Sequence, residues 1–510
     1  MTPLLRPLNP WLALVVAALS GFALEASFPE RGWWPMAFVG VILLLWSLVG
    51  RRPRTAFLIG FVSGAAFWGS LIHWLTLYLG PIPWLALAGL QTIFFGFGAM
   101  ALAVVLNRGN ARWPSRWGRF GVVPIVLAAL FTAREALTSV WPYGGFSWGR
   151  LAHSQSEGPF VNLVAWLGTS GLSFVVALLA SLLYQVLRSG QARKMWPVVA
   201  VATVVALVIP PFPVDISGST RVLAVQGNSN SGLFSQHSPG DILQDHVSGT
   251  LPYAGENIDM VVWPENGSDL DPLRSKISAQ TLNYVSTALK APIVLGTITT
   301  NSAGEYFNSS LVWEAGKGST AQYDKIHPVP FAEYMPNREF FRALQPDLVD
   351  LVSRDYQFGT RPNVVDVAGV LAGISICFDI SDDQQAYDMI SAGAQIILAQ
   401  TNNADFGRTD ESVQQLAIAR LRAVETGRSV VNISTVGTSA IITADGSTLN
   451  QLPTFTAGVM LNDVPLSTTV TPAMAWGRTI ELGIVTIGLV GLALVLIKRP
   501  RRQSKASLRG

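Results

Sequence analysis

Long apolar runs fill most of the first two hundred residues and return once near the end of the chain. A run of about 20 apolar residues is long enough to cross a bilayer as a helix. The pattern predicts such spans near 10–27, 33–50, 55–79, 82–106, 120–140, 159–187, 195–212 and 479–497. The sixth run is interrupted by Gly168 and Gly171, so its helix is expected to be shorter than the run itself. The first has the length of a signal peptide, but a second apolar stretch follows almost at once, which marks it as a retained helix. From Ser219 the texture changes to short β-branched runs: "TRVLAVQGN" (220–228), "NIDMVVWPE" (257–265), "APIVLGTIT" (291–299), "NSSLVWE" (308–314), "VLAGISICFD" (370–379) and "AQIILAQTN" (394–402). Helical patterns lie between several of them, including 271–290 and 411–428. Strands alternating with helices predict a layered α/β domain that carries its chemistry at strand ends.

Composition sharpens this division. Only 13% of the residues are charged, against roughly a quarter in soluble domains. Residues 215–470 carry 14 Lys+Arg and 27 Asp+Glu, a balance of −13, while the rest of the chain stands at +16. No basic patch calls for nucleic acid; the basic excess flanks the apolar runs and reads as membrane topology. "RRPR" (51–54), "NRGNARWPSRWGR" (107–119), "RSGQARK" (188–194) and "KRPRRQSK" (498–505) fall on alternate sides of consecutive spans. The positive-inside rule then places both termini in the cytoplasm, the large acidic segment outside, and an eighth span returning the chain. The expected organisation is a membrane domain of seven helices over 1–213 and an extracytoplasmic domain over 214–470. The eighth helix with its lead-in follows over 471–497, then a basic tail over 498–510. Polar residues within the spans are few: Glu25, His73, Arg134 and Glu135. An ion path usually needs more, and the last two read as a structural pair.

Cys377 is the sole cysteine. It cannot form an internal disulfide, and alone it is either a small buried hydrophobe or a nucleophile. Two further strand or loop ends bear on the choice: Glu265 in "VVWPENG" and Lys325 in "YDKIHPVPFAEYMP". A thiol with a pKa near 8.5 needs a base or a positive neighbour to react at neutral pH. A carboxylate raised by burial can accept its proton, and an ammonium can hold both the thiolate and an oxyanion. A serine-type arrangement needs a histidine; the acidic segment offers only His237, His246 and His327, without a matching spacing. One cysteine and no paired-histidine motif leave no metal-site signature, and no metal or organic cofactor is implied.

"WPENG", "YDKIHPVPFAEYMP" and "GISICFD", in that order, resemble the glutamate, lysine and cysteine motifs of the nitrilase superfamily. Seven helices before them and one after, with "FAEYMP" and "TNNADFG…ARLRAVETGR", make nearly the whole chain similar to the bacterial apolipoprotein N-acyltransferases. The resemblance implies about eight transmembrane helices and an extracytoplasmic nitrilase-like αββα sandwich in the bacterial cytoplasmic (inner) membrane. It implies that Cys377 attacks a membrane phospholipid, with Glu265 as base and Lys325 on the oxyanion. The resulting thioester would pass its acyl chain to the α-amine of a diacylglyceryl-cysteine on an apolipoprotein. Glu333 matches a second glutamate of the motif and is expected to orient the lysine or share its charge. The sequence departs from better-known members at Phe378 and Asp379, where tyrosine and glutamate are usual, and at Gln415, where histidine is common. Phe234 stands in for an absent loop tryptophan. Trp141, Tyr143, Phe146 and Trp148 (in "WPYGGFSWGRL", 141–151) are expected to rim a lateral opening for lipid, or to form an aromatic belt. Two other readings remain at this level: a membrane-tethered amidase, and a receptor or transporter whose outer domain only shares the fold.

Overall fold

The computed structural model describes residues 7–229, 231–232 and 235–497, so Phe234 and the basic tail from 498 lie outside the described residues. Every expected span contains a helix: Pro10–Ala26, Met36–Ser47, Pro53–Leu71, Pro81–Arg112, Val123–Thr138, Leu163–Ser189, Ala192–Leu207 and Pro472–Leu496. By length and hydropathy, Pro81–Arg112, Gly118–Thr138, Leu163–Ser189 and Pro472–Leu496 suffice on their own to cross a membrane. A fifth candidate is broken, Pro53–Leu71 meeting His73–Leu79 at 60°. Pro10–Ala26 and Met36–Ser47 are apolar but have 17 and 12 residues, and Ala192–Leu207 has 16 with Pro197 inside.

Small residues let these helices approach closely. A Cβ on Gly60 would sit 2.3 Å from that of Ala99, so Pro53–Leu71 and Pro81–Arg112 meet almost backbone to backbone. Arg134 and Glu135 do pair, at 3.3 Å, and the guanidinium covers the rings of Phe95 and Phe131 at 4.3 and 4.6 Å. Gly168 interrupts its helix as expected, with φ 74° where a side chain would be strained.

The acidic segment folds into two six-stranded sheets. The first takes β1 (Ile216–Gln226), β2 (Met260–Val262), β3 (Ile293–Thr300), β4 (Tyr306–Glu314) and β5 (Gly318–Asp324). The second takes β6 (Val364–Val367), β7 (Val370–Ile376), β8 (Ile396–Thr401), β9 (Ser429–Ser434), β10 (Ala440–Ile442) and β11 (Thr448–Gln451), and β12 (Gly458–Ser467) returns to the first. The orders are β12-β1-β2-β3-β4-β5 and β11-β10-β9-β8-β7-β6. Each sheet is built on three parallel strands, β1-β2-β3 or β7-β8-β9, with antiparallel strands outside them. Alternation along the strands makes two cores from one run. Val222, Met260, Val262, Ile374, Ile396 and Leu398 pack between the sheets, while Leu223, Val261 and Ile293 face outward onto Leu282, Val285 and Leu289 of the helix Lys276–Leu289.

On the other side, Ile397, Ala399 and Val430 face the helix Glu411–Thr426, and this face is continuous with the apolar core of the membrane helices. All residues of Glu411–Thr426 except Val413 are buried. A charged seam joins the two parts. Arg150 donates to Asp383 at 2.7 Å and to Ser170 at 2.6 Å, and Arg422 donates to Asp383 at 2.9 Å and pairs with Glu425. Glu425 in turn accepts the backbone N–H of Thr169 at 2.8 Å, a donor freed by the break at Gly168. Buried charges survive only when paired in this way. Arg422→Met leaves Glu425 buried without its cation, and the expected loss is about 3–5 kcal/mol. The check is a lower thermal midpoint than wild type in detergent, whereas Arg150→Lys, which keeps a cation, should fall less.

Candidate active site

Three strand ends converge on the side of the sandwich that meets the apolar helices. Glu265 lies just beyond β2, Lys325 directly follows β5, and Cys377 directly follows β7. The structure brings all three together and adds Glu333. The Cys377 thiol and the Glu265 carboxylate are close enough to perturb each other's ionisation, and Lys325 Nζ lies 2.8 Å from Glu333 Oε2. Asn308 spans the two carboxylates, its Nδ2 donating to Glu265 Oε1 and to Glu333 Oε1, each at 2.7 Å. The backbone N–H of Val329 holds the other Glu333 oxygen at 2.6 Å. Asn308 lies beside Ser309 and Ser310 in β4, where nothing in the sequence sets it apart; its role as a bridge depends on the fold.

Burial and charge act against each other here. Burial pushes the Glu265 carboxyl up, to about 7, against the pull of Lys325. Burial alone would draw the Lys325 ammonium down, but Glu333, Cys377 and Glu265 around it hold it well above the ordinary lysine value. The Cys377 thiol is driven well up by burial and then by Glu265, with Lys325 opposing. At neutral pH the site therefore holds one fixed cation and a proton placed between sulfur and carboxylate.

The turn that presents the cysteine is strained. Cys377 has φ 53°, a left-handed conformation that non-glycine residues adopt rarely and chiefly where the surroundings enforce it. Asp379 supplies part of that enforcement. Its Oδ2 accepts from the backbone N–H of Ile376 at 3.2 Å and from the Tyr323 hydroxyl at 3.0 Å, tying the end of β7 to the strand that leads into Lys325. Buried behind the turn, its carboxyl is raised to about 7, with Lys325 acting against the burial. Asp379 thus supports the turn from behind.

Phe378 and Trp148 correct one expectation. Trp148 does not rim an opening: it is 3% exposed and donates its indole N–H to Gln414 at 2.7 Å. Its ring lies nearly parallel to those of Phe146 and Phe378, with centroids 5.8 to 6.1 Å apart. A buried indole needs an acceptor, and Gln414 on the helix Glu411–Thr426 provides one. Phe378 therefore packs the cysteine turn onto the helical part, a use for which a tyrosine hydroxyl is unnecessary. Trp141 and Tyr143 do remain exposed. Tyr143 packs edge-on against Phe331 at 5.6 Å and accepts from Asn337 at 3.0 Å, both in the loop after Lys325.

Further contacts were invisible in the sequence. Ser147 Oγ donates to the Ser381 carbonyl at 2.9 Å and Arg422 Nε to that of Ile380 at 3.2 Å, so the helical part and the helix Glu411–Thr426 both grip the cysteine turn. Gln415 directs Nε2 at Cys377 Sγ, 3.8 Å away. His246 is buried against Trp263, and His327 faces Asp382 at 3.6 Å. Among the described residues no group of three His, Cys, Asp or Glu is placed to hold a metal.

Comparison with known proteins agrees with this division of the chain. The family model described as apolipoprotein N-acyltransferase N-terminal domain matches residues 20–182, and that described as carbon-nitrogen hydrolase matches residues 221–471. An apolipoprotein N-acyltransferase of Mycolicibacterium smegmatis is 34% identical over 96% of this chain and 86% of its own length. Those of Geobacter metallireducens and Vibrio cholerae are each 27% identical, over 89% and 93% of this chain and 89% and 94% of theirs. A solved amidase from Nesterenkonia sp. aligns at 15% identity over 50% of this chain and 94% of its own, with a TM-score of 0.38; at that level the match carries no functional argument. Helical part and sandwich are each matched, and the relatives run through both: the chain belongs to the apolipoprotein N-acyltransferase family.

Proposed function

We propose that the protein moves an acyl chain from a membrane phospholipid to the α-amine of a diacylglyceryl-cysteine at the N-terminus of an apolipoprotein, through a thioester on Cys377. The observation that carries this reading is a thiol gathered with a buried carboxylate, Glu265, and a Lys325–Glu333 ion pair, at the face where the sandwich joins the apolar helices.

Glu265 takes the thiol proton as the sulfur attacks the ester carbonyl, and the Lys325 ammonium stabilises the oxyanion. Collapse breaks the ester C–O bond, Glu265 returns the proton to the departing oxygen, and a lysophospholipid leaves. The acceptor amine then attacks the thioester carbonyl and gives its proton to Glu265. The C–S bond breaks, the sulfur recovers the proton, and the N-acylated lipoprotein departs. Glu333 and Asn308 keep the lysine charged and the base aligned throughout.

The apolar helices give this chemistry its setting. Removing an acyl chain from lipid costs about 0.8 kcal/mol per methylene, and a site seated on the outer ends of membrane helices avoids that extraction. We read the three shorter apolar helices and the bent pair as spans too, giving eight, with residues 1–213 as membrane domain, 214–470 as catalytic domain and 471–497 as the last span. The basic flanks support cytoplasmic termini and a catalytic domain facing outward from the bacterial inner membrane.

Three outcomes test this. Intact-protein mass spectrometry after mixing enzyme with phospholipid should show an added acyl mass that hydroxylamine removes and that Cys377→Ala lacks. A diacylated lipopeptide should discharge it into an N-acyl product. A wild type left unmodified by a whole lipid panel, yet able to hydrolyse amides, would make the chain a tethered amidase. Lys325→Met should slow acylation about 100- to 1000-fold with the fold intact. The third outcome is the pH profile. Glu265 works as a base only when ionised, so acylation should fall as pH drops through about 7. Rapid-quench rates should decline about tenfold per unit below pH 6 and level off above 8. Glu265→Gln should be slow and lack this limb.

A further inference from the structure

The family reading uses Glu265, Lys325 and Glu333 around the sulfur and gives no role to a further polar side chain against it. That side chain is Gln415, which is 1% exposed on the helix Glu411–Thr426. Its Nε2 lies 3.8 Å from Cys377 Sγ. The orientation of the amide follows the line of hydrogen bonds behind it. The backbone N–H of Gly437 donates to Ser434 Oγ at 2.9 Å. Ser434 Oγ donates its own hydrogen to Asn403 Oδ1 at 2.5 Å, where Thr401 Oγ1 also donates at 3.2 Å. With its oxygen occupied by two hydroxyls, Asn403 presents its NH₂ to the remaining neighbours. One donor goes to Gln415 Oε1 at 2.9 Å and the other to Glu411 Oε2 at 2.7 Å. Gln415 therefore has its oxygen taken and must turn its nitrogen to the sulfur.

From this chain of donors we infer that Gln415 is a further catalytic residue, an N–H donor to the Cys377 sulfur, with Asn403 and Glu411 as the positioning residues that fix its face. The inference rests on the reading of Cys377 as nucleophile. An amide nitrogen has no lone pair free to accept from a thiol, so this side of the sulfur favours thiolate over thiol. The thiol hydrogen is left with Glu265 as its acceptor. The same donor supports the sulfur again when it leaves as thiolate in the second half of the cycle. The charged and titratable groups facing the sulfur are Glu265, Lys325, Glu333 and Glu411, of which only Lys325 also favours the thiolate. Glu411, raised to about 8 by its burial, keeps its contact with Asn403 in either protonation state through a carboxyl oxygen that accepts.

Because Cys377 is the only thiol, alkylation by iodoacetamide reads it alone in the full-length protein. Rates across pH are compared for wild type, Gln415→Leu, Gln415→Glu and Gln415→His, beside acyl-adduct formation from phospholipid. Gln415→Leu is expected to move the alkylation midpoint up by about one unit and to slow acylation about tenfold, the scale of one lost hydrogen bond to a charged group. Gln415→Glu, equal in shape but unable to donate when ionised, should move the midpoint at least as far. Gln415→His, which can donate, should restore both measurements towards wild type. If Gln415→Leu does not fold, the Gln415→Glu and Gln415→His pair decides. Midpoints and acylation rates that match wild type in folded Leu or Glu variants overturn the inference while leaving the acyltransferase reading intact. A wild type that never acylates overturns that reading, and the alkylation midpoints still decide whether Gln415 acts on the sulfur.

Discussion

A lysine ammonium only 1% exposed governs the chemistry of this site. Taking such an ion out of water costs several kcal/mol even after the protein relaxes, and it stays charged only if counter-charges surround it. Glu333 is the direct partner, and Glu265 and Cys377 complete the ring. With two carboxylates and a thiol around one cation, a second full ionisation leaves excess negative charge in a poorly solvated space. Burial first, and then the neighbouring Glu333, raise Glu265 to about 7 against the pull of Lys325, so the base stands near neutrality. The lysine itself is held too high to act as an acid, so it serves as a fixed charge already in position when an oxyanion forms.

Placing that charge depends on strain enforced from three directions. The left-handed Cys377 is pinned from the sandwich by Asp379 and Tyr323, from the helical part by Ser147, and from the helix Glu411–Thr426 by Arg422. The parallel rings of Phe146, Trp148 and Phe378 fill the remaining space. The nucleophile is thus seated by residues from both halves of the chain, which is why neither family model alone covers the site's supports.

Much of this architecture was legible because it is written in local patterns. Apolar runs located every helix of the membrane part, and the glutamate, lysine and cysteine segments fell at strand ends as β-branched runs require. What was hidden is non-local. β5, β6 and β9 to β12 went unmarked: β6, β10 and β11 have only 4, 3 and 4 residues, the buried β9, "SVVNIS", follows the helix with only Gly427 and Arg428 between, and β5 and β12 are interrupted by polar residues and glycine or proline. Arg150, Asp383, Arg422 and Glu425 look like ordinary surface charges until the fold brings them into one seam. Trp148 looked like an interfacial aromatic because sequence shows an indole but not the glutamine, 266 residues away, that accepts its hydrogen. The count of spans stayed ambiguous for a physical reason also: helices of 12 to 17 residues fall short of a bilayer by length alone.

The helix Glu411–Thr426 belongs to two cores at once, with one face on β8 and β9 and the other on the membrane helices. Synthesis runs in a fixed direction, so the apolar helices of the first two hundred residues are made before this segment exists, and Pro472–Leu496 is made after it. The second helical layer of the sandwich therefore has no finished surface until it meets those earlier helices. The last helix closes the assembly from behind, where Ser170 meets Glu481 and Thr471 donates to the Glu425 carbonyl at 2.5 Å. Assembly of the site is thus ordered in time: the turn that carries Cys377 gains its full set of supports only once the acidic segment has packed onto helices made long before it.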